Sequence, residues 1–208
     1  MDEERQTEQE NVKDEKKCET RKEIISWVRM FAIVIVVVFV LTQFIIINAR
    51  IPSGSMENTI MTHDRLIGFR FAYWFDEPQR GDIILFEYPV DEKQIYIKRV
   101  IGLPGETVEI RNGHIYIDGS SEPLQEDYLK EEWTWENDGY TFQVPEGCYF
   151  VMGDNRNDSE DGRLWARVAI NSGLASTPAE AEKYSFVRKD EIKGKAIFKY
   201  YSKFAILK

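Results

Sequence analysis

The sequence predicts an all-β domain of antiparallel sheets behind one N-terminal transmembrane helix. Three observations carry this: a long apolar run near the N-terminus, short β-rich segments separated by turn residues, and an Asn-Gly pair between two alternating segments. At 208 residues the chain is long enough for one ordinary domain plus an appendage, which excludes a multidomain machine. The formal net charge of -9 argues against nucleic acid as a partner, because no basic excess exists to neutralise phosphates. Two cysteines, Cys18 and Cys148, cannot staple a disulfide scaffold.

Residues 1–23 carry nine acidic and six basic side chains and no aromatic ring, so a disordered tail is expected there. The next segment, 24–48, reads as an anchor. Its residues 30–47 are eighteen in a row without a charge, dense in Val, Ile and Phe. The run ends in Ile47-Asn48-Ala49, which puts a bulky residue where a cleavable leader needs a small one. Lys13, Lys16, Lys17, Arg21, Lys22 and Arg29 crowd one flank, whereas Arg50 stands alone on the other, so the N-terminus is expected in the cytoplasm and the rest outside the membrane. That topology puts Cys18 and Cys148 on opposite sides of the bilayer. A buried core helix is the competing reading of the apolar run.

Residues 50–208 carry 27 acidic and 20 basic side chains, an acidic exported portion. Strands are expected over 82–88, 95–101, 107–110, 114–117, 149–151 and 196–201. Asn112-Gly113 is a two-residue hairpin signal, because a type I′ turn needs two residues that tolerate positive φ, and Asp118-Gly119 closes the second strand. The expected organisation is a β core from 49–104 and 144–208, with a loop inserted near 166–185, and a smaller β-rich insert over 105–143. The aromatic stretch 69–75 suits either the lipid interface or a core strand, and the run 198–204 raises the same choice.

Three segments mix turn formers with reactive side chains: Ile51-Pro52-Ser53-Gly54-Ser55-Met56, Tyr96-Ile97-Lys98-Arg99-Val100-Ile101-Gly102-Leu103-Pro104-Gly105 and Gly153-Asp154-Asn155-Arg156-Asn157-Asp158-Ser159. A serine hydroxyl needs a base to become a nucleophile. His63 and His114 are the available imidazoles, and both sit in polar or turn surroundings that suit surface residues. Lys98 is the better candidate, since period-two alternation puts it on one face with Tyr96 and Val100, where apolar neighbours can desolvate it. Periodicity alone favours a solvated lysine, because most lysines face water.

Taken together, in this order and behind an anchor, these segments and the run Arg80-Gly81-Asp82-Ile83-Ile84-Leu85-Phe86 resemble the type I signal peptidases of bacteria over most of residues 24–165. The resemblance implies a serine endopeptidase that removes signal peptides from exported preproteins through an acyl-enzyme. It implies Ser55 as nucleophile, Lys98 as general base, Ser53 with the Ser55 N–H as the oxyanion hole, and Ser159 as the group orienting the lysine. Asp154, Asp161 and Arg163 take supporting roles by the same resemblance, although local turn chemistry accounts for Asp154, Asn155 and Asp161 as well. Ile51, Pro52, Met56, Ile60 and Tyr96 are the expected substrate-pocket walls, with core packing the alternative for Ile60. The implied partners are preproteins and the lipid bilayer, and no metal or organic cofactor is expected.

The chain departs from the family pattern in three places. Asn58 stands where a proline is usual, which implies a looser loop, and Gly162 stands where serine is common. The third is the extra segment 166–185, which holds Ala179-Glu180-Ala181, small residues at the spacing such enzymes cleave, and self-cleavage there is conceivable. Two other readings stay open: a non-enzymatic anchored β-domain, and a serine-lysine self-cleaving repressor, which needs a DNA-binding region where this chain has a span.

Overall fold

The computed structural model describes the backbone of residues 2–19 and the whole of residues 20–200 and 204–207. Helix α1 spans Asp2–Val40, and its path continues through a wider turn at Leu41–Ile45. The backbone of residues 2–23, expected without order, is therefore helical. That stretch lacks glycine and proline and is rich in Glu, Lys, Gln and Arg, all good helix formers, and it joins an apolar helix that removes the cost of nucleation. Within α1 and its continuation, Thr20–Ile45 is long and apolar enough to cross a membrane, and none of its most apolar window is buried in the protein. That exposure removes the buried-core reading. The helix stops sooner than expected, because Ile46 begins a strand.

The two compact units are Met1–Ile45 and Ile46–Lys208. In the second, β1 (Ile46–Arg50), β2 (Arg65–Phe69), β3 (Ile83–Tyr88) and β4 (Asp91–Gly102) are followed by β5 (Thr107–Arg111), β6 (His114–Ile117), β7 (Tyr140–Gln143) and β8 (Cys148–Met152). Two short helices, α2 (Trp165–Asn171) and α3 (Pro178–Ala181), precede β9 (Val187–Arg188), β10 (Ile192–Lys199) and β11 (Ala205–Ile206). The larger sheet runs β1-β2-β10-β3-β4-β8-β9, with β11 on β10, and the smaller runs β6-β5-β7. Every pairing is antiparallel.

The expected strands are present with shifted ends, whereas β1, β2, β7, β9 and β11 were not anticipated. β1 begins with the last two residues of the apolar run, Ile46 and Ile47, β-branched side chains that suit a strand as well as a span. Tyr201 of the expected last strand lies outside the described residues. The turn between β5 and β6 has φ of 49° at Asn112 and 76° at Gly113, the two positive values a type I′ hairpin requires.

The central pair β3 and β4 is covered on both faces. Ile83, Leu85 and Ile97 pack with Met56, Ile60 and Leu66 on one side, while Ile84, Phe86, Tyr88 and Val100 pack with Trp165 on the other. Alternation thus explains why β3 reads as an almost continuous apolar run. Residues 166–185, expected as a loop, are largely helical. Thr177 caps α3 by accepting from the Glu180 N–H, with Pro178 at its first position, and Ala169, Ala175 and Ala181 make a small core of their own. Ala179-Glu180-Ala181 is consequently wound into a helix with Ala181 fully buried, not in the extended form a peptidase cleft takes. Of residues 69–75, Phe69 ends β2 and the next four form a 3-10 turn, with Trp74 at 68% and Phe75 at 93% exposure, which removes the core-strand reading for that end.

Candidate active site

The chain from β1 to β2 forms a tight turn that carries Ser55, and β4 carries Lys98 in register with Ile84 of β3. Ser55 Oγ and Lys98 Nζ lie 2.8 Å apart in a hydrogen bond, and both residues are buried. The turn is held from behind by Asn155: its backbone N–H donates to the Ser55 carbonyl at 3.0 Å, and its side-chain amide donates to the Gly54 carbonyl at 3.0 Å. Gly153 makes this approach possible. A Cβ there would stand 2.4 Å from the Ser55 carbonyl oxygen and 2.3 Å from Ser159 Oγ, so any larger residue would push the two apart.

Burial lowers the Lys98 pKa to about 8, against the opposing pull of Asp161 and Glu160. Desolvation is the larger effect because a charged amine loses its hydration in this apolar wall. At neutral pH a useful fraction of the amine is then neutral, and a neutral amine can accept the serine proton across the same 2.8 Å.

Two buried ion pairs frame the site. Asp161 pairs with Arg163 at 2.8 Å and also accepts from the Gly153 N–H at 3.0 Å and from Ser159 Oγ at 2.7 Å. Burial alone would raise the Asp161 pKa, but the Arg163 charge and these hydrogen bonds hold it below the usual carboxylate range. Asp154 receives two parallel bonds from Arg99, at 2.8 and 2.7 Å, the planar fork geometry that makes such pairs directional. Thr59 donates to the same carboxylate. Asp154, Asn155 and Asp161 therefore do more than local turn chemistry.

Ser55 and Lys98 open into a cleft of about 480 Å³ whose walls include Ile51, Pro52, Ser53, Gln94, Ile95, Tyr96, Asp158 and Glu160. Ser53 is exposed on that wall. Of the expected pocket residues, Ile51, Pro52 and Tyr96 line the cleft. Met56 and Ile60 do not: both are fully buried in the core beneath the turn, where the helical bend after Ser55 directs them inward. Ser159 donates its hydroxyl to Asp161, and the amine's hydrogen bond is to Ser55. His63 and His114 are exposed and neither lines the cleft, which removes the histidine alternative. A larger hollow of about 610 Å³, over the small sheet between Asn112 and Trp133, has no serine or lysine in its wall.

Several supporting residues escaped sequence reasoning. Asn58 takes φ of 88°, and its amide donates to the carbonyls of Tyr128 and Leu129, so it ties the Ser55 turn down instead of loosening it. Arg156 is buried against Glu126 and lies over the Trp133 ring, joining the motif loop to the segment between β6 and β7. Arg156 had a signal in the motif Gly153-Asp154-Asn155-Arg156, but its partners Glu126 and Trp133 are 30 and 23 positions away, beyond the reach of local spacing.

This is an antiparallel β-domain with a buried serine-lysine pair in a peptide-sized cleft, behind a helix long enough to span a membrane. The family model described as "Signal peptidase, peptidase S26" matches residues 24–201. A probable signal peptidase I-1 of Synechocystis sp. is 44% identical over 64% of this chain and 69% of its own length. A signal peptidase I of Bacillus licheniformis is 34% identical over 79% of this chain and 91% of its own. Among solved structures, a signal peptidase I from Enterococcus faecalis V583 is 35% identical and aligns over 58% of this chain and 97% of that one, with a TM-score of 0.41. The chain belongs to the signal peptidase family S26, the serine peptidases of the signal peptidase I type, whose substrates are preproteins.

Proposed function

We propose that this chain cleaves signal peptides from exported preproteins with Ser55 as nucleophile and Lys98 as general base. The observation that carries the reading is the buried 2.8 Å contact between the hydroxyl and a lysine held near neutrality. Lys98 takes the Ser55 proton as Oγ attacks the scissile carbonyl carbon. Negative charge then gathers on the carbonyl oxygen, where Ser53 on the cleft wall and the Ser55 N–H are the donors we assign. The protonated amine gives its proton to the leaving nitrogen, an ester to Ser55 remains, and Lys98 next activates a water that hydrolyses it. Ser159, whose hydroxyl donates its hydrogen bond to Asp161, keeps lone pairs for the amine.

An extended substrate is expected to lie between residues 51–53 and 94–97, with main-chain bonds supplying affinity and small side chains entering beside Ile51, Pro52 and Tyr96. The basic flank before the span supports a cytoplasmic N-terminus, with the β-domain outside a bilayer that α1 crosses. The test is cleavage of a model preprotein by purified full-length protein in detergent. Ser55→Ala and Lys98→Ala are each expected to reduce kcat by at least about a thousandfold. Undiminished cleavage by either would overturn the assignment.

A further inference from the structure

Lysine keeps four rotatable bonds, and one hydrogen bond to Ser55 does not by itself hold its amine in line. The rest of the constraint comes from an aromatic wall. Lys98 Nζ lies 5.4 Å from the centre of the Tyr96 ring, and Tyr96 stacks on Tyr88 with centroids 4.2 Å apart and planes within 3°. Trp165, at the start of α2, sets its edge against both rings at 5.4 and 6.4 Å. Tyr88 Oη donates to Glu160 Oε1 at 3.0 Å, and Glu160 lies on the wall of the cleft that holds Ser55 and Lys98.

We propose that Glu160 is a positioning residue of the reaction, which locks the stacked rings beside Lys98 through Tyr88 and sets a fixed negative charge at the open side of the cleft. The inference rests on the reading of Ser55 and Lys98 as the reacting pair. Among the charged groups acting on the amine, Asp161 and Asp154 are each matched by a buried arginine, Arg163 and Arg99. Arg50 and Asp158 also line the cleft. Glu160 differs in that its partner is a phenol, so its charge is not cancelled by that contact. Tyr88 is clamped between ring and carboxylate, with its own ionisation pushed far up by burial and then by Glu160.

The two roles separate by variant. Tyr88→Phe removes one oxygen and keeps the stack, while Glu160→Gln keeps an acceptor for Tyr88 and removes the charge. In full-length protein with a model preprotein, Tyr88→Phe and Glu160→Ala are each expected to lower kcat about three- to tenfold, with KM within about twofold, and Glu160→Gln to lose less. The acid limb of the Glu160→Gln pH profile should move to lower pH, because the lost anion had favoured the charged amine. A structural role alone leaves that limb in place. The proposal is overturned if Tyr88→Phe keeps the wild-type kcat or if the acid limb of Glu160→Gln superimposes on the wild type. Cleavage by the wild type that is lost in Ser55→Ala tests the underlying reading separately.

Discussion

Lys98 shows how a residue's chemistry is made by where it is buried. Its pKa of about 8, against 10.5 in water, means that the folded protein carries a desolvation cost of about 3 kcal/mol at neutral pH. The unfolded chain holds the proton up to its own higher pKa, so this cost is fully present below about pH 8 and shrinks as pH rises through the interval to 10.5. Lys98→Met should therefore abolish cleavage yet raise the melting temperature at pH 7, with the gain fading above pH 8. Wild-type kcat/KM should climb with pH to a plateau above about pH 8, and a flat profile from pH 6 to 9 would remove Lys98 as the base. The Ser53-Gly54-Ser55 motif and the lysine's face on its strand were legible from sequence. The pKa was not, because Trp165 and the residues covering β3 come from distant segments.

At the scale of elements, the strands rich in Val, Ile, Tyr and Phe and bounded by turn residues were the readable ones. Helices α2 and α3 were missed because each is too short to display a 3.6-residue period, and their cores are alanines that carry little hydrophobic contrast. The departures at Asn58 and Gly162 make structural sense from the backbone and the space around each. Proline fixes φ near −65°, whereas Asn58 sits at 88°. A Cβ at Gly162 would stand 2.7 Å from the Ser185 carbonyl oxygen, at the end of the helical segment, and 2.8 Å from Phe150. Asn58→Pro and Gly162→Ser, which bring in the residues usual elsewhere, should each destabilise the protein by more than about 1 kcal/mol in urea titration. A stabilised Asn58→Pro variant would show that the turn does not need its positive φ.

Over the whole molecule, the two sheets are joined through buried charge next to the site. Arg156 donates to the Gly153 carbonyl at 3.1 Å and pairs with Glu126, and Asn157 Oδ1 accepts from the backbone N–H groups of Thr134 and Trp135. Removing one member of such a pair leaves a buried charge unmatched, at a cost of about 3–5 kcal/mol. Glu126→Ala should accordingly lower the melting temperature by several degrees and reduce kcat, although Glu126 lines no part of the cleft. Unaltered stability and activity would show that the segment between β6 and β7 is independent of the loop 153–159.

Composition and order along the chain were enough to indicate an apolar N-terminal helix long enough to cross a membrane and an antiparallel β-domain, and short motifs carried the resemblance to the signal peptidases. These are properties of local periodicity and of short motifs, which are written within a few neighbouring positions. Tertiary structure alone decided which groups meet: that Met56 and Ile60 turn into the core, that Asn58 anchors its turn, that Ser159 leans on Asp161, and that Tyr88 and Glu160 stand behind Lys98. Burial and hydrogen-bond partnership depend on segments separated by tens of residues, and the dielectric around an amine is set by all of them at once.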